Sequence, residues 1–206
     1  MGRVVSEFVF CTGRYASGDW DSAPLVPANI IDSVARYTSI AVAPTGVVVD
    51  VHSRAVLRHP LLYMTGHLPV RFTEAERRTL REYTRRGGMI FMDDHNHDIG
   101  GIFHQTATEE IARTWTALRQ LPNTHALYSA FFRFDGPPTT SHELNGWGDN
   151  LIHPHLSVVY EGDRIAVLYS NKDYSSEWSY HPDNKRFLAV DNTRFGVNIV
   201  VHALTH

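Results

Sequence analysis

The sequence predicts an α/β fold built on a parallel sheet, and three observations carry that expectation. A capped helix lies between two apolar runs of strand length, Leu61–Met64 and Met89–Met92, joined by short turns. Those runs are unbroken rather than alternating, as expected for strands covered by helices on both faces. Polar and titratable residues follow the runs directly, and in a parallel sheet they gather at one edge.

Taken in order, Glu7–Cys11 is apolar and β-prone, and Thr12-Gly13 reads as the turn that ends a first strand. Pro24 and Pro27 lead into Ile30, Ile31, Val34 and Tyr37 at helical spacing, with the prolines acceptable in a first helical turn. Ile40–Ala43 and Val47–Val49 predict two short strands, or one broken at Pro44-Thr45-Gly46. After Leu61–Met64, Thr73 with Glu76 is a capping-box pair opening a helix that turns Leu80 and Tyr83 inward and stops at Gly87-Gly88. A second such pair, Thr106 with Glu109, predicts a helix start, with Ile111, Trp115 and Leu118 on its core face. Tyr128–Phe134 reads as a strand, and the Gly, Pro, Asn and His-rich stretch at about 136–155 as a long functional loop. Ile165–Tyr169 predicts a late strand, and Phe195–Leu204 a closing helix or strand.

At 206 residues, with no linker or low-complexity boundary, residues 1–206 read as a single domain. A hydrophobic fraction of 43% supplies a core without disulfides or metal staples. A net charge of −3 argues against nucleic acid as a partner. No run reaches the length of a membrane-spanning segment. The early strand signal places the domain edge near the start of the chain, as in a chain trimmed of a leader. The lone Cys11 excludes an intramolecular disulfide and reads more readily as a buried thiol than as a nucleophile. No nucleophile elbow, P-loop or dinucleotide fingerprint is present.

The strand ends bring a candidate ligand-binding set together: Arg14, Tyr15, Asp19 and Trp20 from the first strand, His67 from the third, and Asp93 and Asp94 from the fourth. Asp173 and Trp178 follow the late strand. His125 and His142, in or beside the long loop, are added as residues able to fold over that edge. Asp94 and His67 are the catalytic candidates, the histidine as a general base or ligand. Asp93, Asp94, His95 and His97 form the densest cluster and are candidate ligands for a divalent metal. The bland alternatives are a polar turn whose carboxylates cap backbone amides and a histidine bonded to a neighbouring loop. Adjacent strand residues point to opposite faces, so Asp93 and Asp94 are not expected to share the cleft.

Arg14-Tyr15, Gly18-Asp19-Trp20, Tyr63–His67, Gly87-Gly88 ahead of Asp93-Asp94, and Gly196–Val200 together resemble the bacterial domain of unknown function 4159, from about Glu7 to Leu204. The resemblance implies a three-layer, mostly parallel, flavodoxin-like sheet similar to that of class I glutamine amidotransferases. In that superfamily a cysteine occupies a strand-to-helix elbow. The turn after Met92 has Asp93-Asp94 instead, which argues against glutaminase activity. Relatives are often attached to the Gram-negative envelope and encoded near MoxR-type ATPases and von Willebrand-type domains. This implies a periplasmic or envelope-associated setting with an envelope protein partner, the alternative being cytoplasmic. Three functions follow as expectations: a domain binding a small polar ligand or partner at the strand ends, a metal-assisted hydrolase using the Asp93, Asp94 and His67 region, or a structural interaction module.

Overall fold

A computed structural model gives the architecture, and it describes residues 7–180 and 189–206. Seven strands form one sheet: β1 (Cys11–Arg14), β2 (Val47–Asp50), β3 (Leu61–Gly66), β4 (Met89–Asp94), β5 (Arg119–Gln120), β6 (Ser157–Glu161) and β7 (Arg164–Ser170). Their order is β2-β1-β3-β4-β7-β6-β5. The first five in that order are parallel, while β6 and β5 are antiparallel to their neighbours. The helices are α1 (Val26–Tyr37), α2 (Glu74–Arg85), α3 (Ile102–Thr114), α4 (Ser141–Asn145), α5 (Tyr174–Trp178) and α6 (Ala189–Thr205). Among the described residues none is long and apolar enough to cross a membrane.

The pleat of β3 and β4 divides the core between two faces. Tyr63 and Phe91 point towards α1, α5 and α6, while Met64 and Met92 point towards α2 and α3. This is a three-layer, flavodoxin-like sandwich: the helix-covered parallel sheet that the apolar runs predict, in the layered form that the resemblance implies. The Thr73–Glu76 capping box forms, with each side chain taking the other residue's backbone amide, an arrangement that contributes about 1 kcal/mol.

Several local expectations change. The first strand runs from Cys11 to Arg14, and Phe8 makes only an isolated bridge to Val42. Gly13 lies inside the strand because space is short there: a Cβ would fall 2.9 Å from Val51 and 3.1 Å from Leu62 and Met64. Val47 and Val48 of β2 are largely exposed, as suits an edge strand. The helix expected to open at Thr106 begins instead at Ile102, because Thr106 Oγ1 accepts from Val70 N and so serves a neighbouring segment rather than a cap. Tyr128–Phe134 forms no strand; Ala126–Ser129 is a 3-10 turn. Its backbone is satisfied from α6, where the Asn198 amide donates to Leu127 O and Phe132 O and accepts from Phe132 N. The long loop contains α4, closed by its own Thr140–Glu143 capping box. β6 had no counterpart in the sequence reading, and the closing segment is a helix.

Candidate functional site

In this strand order the chain reverses direction between β1 and β3, and open α/β sheets offer their crevice at that switch point. Asp19 follows β1 and His67 follows β3, and they meet there. Asp19 Oδ1 accepts from the amides of His67 (2.8 Å) and Leu68 (2.9 Å), while its Oδ2 lies 2.8 Å from His67 Nδ1. Burial pushes the Asp19 carboxyl upward, but these hydrogen bonds outweigh it and leave it below its ordinary range. Glycine at 66 is what permits the approach. A Cβ there would lie 2.5 Å from Tyr15 Oη and 2.8 Å from Asp19 Oδ1.

His95 stacks on His67 with ring centroids 4.2 Å apart. Its Nδ1 is 3.1 Å from Ser22 Oγ and its Nε2 3.8 Å from Asp173 Oδ1. Burial holds the His95 ring below its usual pKa. Asp173, fully buried with φ at 59°, caps α5 through Ser176 N and pairs with His142 Nδ1. The Asp173 hydrogen bond raises the His142 pKa. The result is a row at the carboxyl edge: Asp19, His67, His95, Asp173 and His142. Its outer imidazoles are each held by a carboxylate through Nδ1, and neither Nε2 takes a hydrogen bond among the described residues. Backing by a carboxylate fixes the tautomer and the ring orientation.

Asp93 and Asp94 lie beside this row without opening onto it, both with no exposed surface. Asp93 faces α5, where its Oδ2 accepts from Ser175 N (2.7 Å) and Ser175 Oγ (2.6 Å). Tyr63 and Thr65 also reach Ser175 Oγ. Burial and the nearby Asp173 charge push Asp93 well upward. Asp94 faces the opposite side and holds its own turn, with Oδ1 2.9 Å from Asn96 N and Oδ2 3.4 Å from Asp98 N. Burial takes its pKa to about 7.

The other sequence candidates fall in three places. Arg14 pairs with Asp50 on the surface, and its guanidinium lies 5.8 Å from the half-buried Trp20 ring. Tyr15 and Trp178 are buried: Tyr15 donates to Thr65 O, and Trp178 packs between Tyr63, Phe91 and Tyr174. His125 packs on Tyr160, whose partner Ile165 is near the start of β7, so it sits towards the amino edge, away from the row. His97 is buried beneath the long loop.

The family model described as "Domain of unknown function (DUF4159)" matches residues 9–204. The chain belongs to the DUF4159 family. No curated protein matches it.

Within this DUF4159 domain, the sequence does not single out Ser22, Glu143 or Ser175, which shape the site and its surroundings, or Asp149, which holds the long loop beside it. Glu143 carried a readable signal, the capping pair with Thr140. It is also the partner of Lys172, whose Nζ donates to Glu143 Oε1 at 2.5 Å and to His153 O at 2.6 Å. Cys11 is buried and its thiol is pushed up to about 12, so it supplies no thiolate nucleophile.

Proposed function

We propose that this DUF4159 domain binds a small polar ligand at the carboxyl edge of the sheet, in an amidotransferase-like architecture that does not perform glutaminase chemistry. The carrying observation is the pair of carboxylate-backed imidazoles, His67 on Asp19 and His142 on Asp173, each with Nε2 free of protein partners among the described residues. His142, whose pKa is raised, offers an N–H to an acceptor such as a carboxylate or phosphate. His67, with Nδ1 directed at a carboxylate, offers Nε2 to a donor such as a hydroxyl or amine. A compound bearing both groups fits the row. The hydrolase reading has less support, because Asp93 and Asp94 project to opposite faces and both are already engaged in hydrogen bonds.

The test is a thermal-shift screen of hydroxy acids, amino acids and phosphorylated polyols, followed by calorimetric titration of the best compound. Stabilisation should fall sharply in His67→Ala and in His142→Ala, and persist in His125→Ala, which alters the opposite edge. Stabilisation unchanged in the His67→Ala/His142→Ala double variant, or no stabilising compound in those classes, overturns the proposal.

A further inference from the structure

Beneath the long loop, outside the row just described, His97, Asp149 and His153 converge. Their nitrogen and carboxylate ligand atoms lie within 4.8 Å of one another. His97 Nε2 is 3.4 Å from Asp149 Oδ1, and His153 Nε2 is 2.8 Å from Asp149 Oδ2. Leu151 O, 3.0 Å from His97 Nε2, offers a fourth donor atom beside that ring. In a tetrahedral site with metal–ligand bonds of about 2.0–2.2 Å, neighbouring ligand atoms are separated by about 3.4 Å. The cluster therefore needs only small adjustments to surround one ion.

A second observation concerns His97 itself. Its side chain is wholly buried, and both ring nitrogens face carbonyl oxygens, Nδ1 towards Asn171 O at 2.8 Å and Nε2 towards Leu151 O. A neutral imidazole has one N–H and can satisfy only one of them. A cation between Nε2, Leu151 O and Asp149 removes the conflict, and Nδ1–H to Asn171 O is then the outer hydrogen bond that orients a metal-ligating histidine. The surrounding backbone is held in uncommon conformations: His97 at φ 48°, Gly148 at 64° and Asn150 at 59°. Gly148 is pressed so closely on His97 that a Cβ could not be accommodated. Such conformations persist where surrounding contacts over-determine them, often at ligand clamps.

We propose that His97 Nε2, Asp149, His153 Nε2 and the Leu151 carbonyl bind one zinc-class divalent cation, which fastens the long loop to the turn after β4. Two imidazoles with two oxygens suit zinc better than calcium or magnesium. With all four positions filled by the protein, the role is structural.

The test uses untagged, chelator-stripped full chain titrated with Zn²⁺, together with visible spectroscopy of the Co²⁺-loaded protein. One equivalent should bind, and Co²⁺ should give a tetrahedral spectrum. His153→Ala and Asp149→Asn should each weaken Zn²⁺ binding at least about tenfold. His67→Ala/His142→Ala should bind Zn²⁺ as the parent does, which separates this site from the proposed ligand row. Zn²⁺ should slow proteolytic cleavage between 136 and 155. Lack of one-equivalent binding, an octahedral Co²⁺ spectrum, affinity retained in His153→Ala/Asp149→Asn, or cleavage unaffected by Zn²⁺ overturns the proposal. The wild-type titration and spectrum do not depend on any variant folding.

Discussion

Asp94→Asn is expected to change the pH dependence of stability more than stability at any single pH. In the native state burial raises the Asp94 carboxyl from 3.8 to about 7. The folded pKa exceeds the unfolded one, so the stability lent by the bound proton is fully present below about pH 4 and is lost as pH rises through about 7. Between pH 4.5 and 7 the folded chain keeps a proton that the unfolded chain has released. At 1.36 kcal/mol per pH unit, that span of about 2.5 units corresponds to about 3 kcal/mol. Asparagine cannot titrate. Its Oδ1 still accepts from Asn96 N, but its Nδ2 faces the Asp98 amide, a fixed cost of about 1 kcal/mol at every pH. Urea unfolding of both proteins at pH 4.5, 5.5, 6.5 and 7.5 isolates the effect, since other titrations cancel in the difference. The variant should gain on the parent by about 3 kcal/mol across the series. A difference constant to within about 0.5 kcal/mol, well below the one-proton slope, refutes the assignment.

Two further perturbations test the architecture around the row. Lys172→Met strands the buried Glu143 carboxylate, which keeps the amides of Thr140 and His153 and the Thr140 hydroxyl but no cation, and should cost about 3 kcal/mol. By calorimetry that lowers Tm by about 10 °C for a chain of this size, and Lys172→Met/Glu143→Gln should recover part of it; a single variant within 2 °C of the parent speaks against the pair. Gly66→Ala places a Cβ against Tyr15 Oη and Asp19 Oδ1. It should cost about 1–3 kcal/mol and release His67 from Asp19, which is read by denaturation and by the His67 ring resonances in NMR; unshifted resonances disprove the close approach.

Signals contained within a few residues were legible in the sequence. The Thr73–Glu76 cap, the β3 and β4 runs and the parallel sheet could all be read, and so could the gathering of Asp19 and His67 at strand ends. What could not be read is pairing at a distance. Asp19 and His67 are 48 positions apart, and nothing local says that the carboxylate holds both the ring and the backbone of the histidine. Thr106 with Glu109 carries the same spacing as a real cap, yet Thr106 is used by Val70. Tyr128–Phe134 has strand composition, but Asn198 supplies the hydrogen bonds a ladder would have made. Asp149, in a Gly and Asn-rich stretch, is indistinguishable in sequence from a solvated turn residue. Its contact from the Leu151 amide is that of an ordinary local turn, and the one from the Ile99 amide appears only when the loop folds back.

Topology explains why that loop reaches the row at all. β6 enters the sheet at Ser157, which pairs with Tyr169 at the carboxyl end of β7. A parallel strand in that position would have been entered from the amino edge. Because β6 is antiparallel, the residues before Ser157 must lie over the strand ends. They dock on Lys172 and Asp173, just beyond the end of β7: Thr140 Oγ1 donates to Lys172 O, Glu143 takes Lys172 Nζ, and His142 pairs with Asp173. Four members of the row therefore follow strand ends, and the fifth, His142, is carried by a loop anchored on the Lys172-Asp173 segment. Loosening that anchorage should disturb His142 before it disturbs His67, whose contacts among the described residues are with Asp19 and with His95 and Asn96 of the turn after β4 and not with the loop. In Lys172→Met, His142 ring resonances should shift while those of His67 stay in place, and the reverse order would contradict this division of the site.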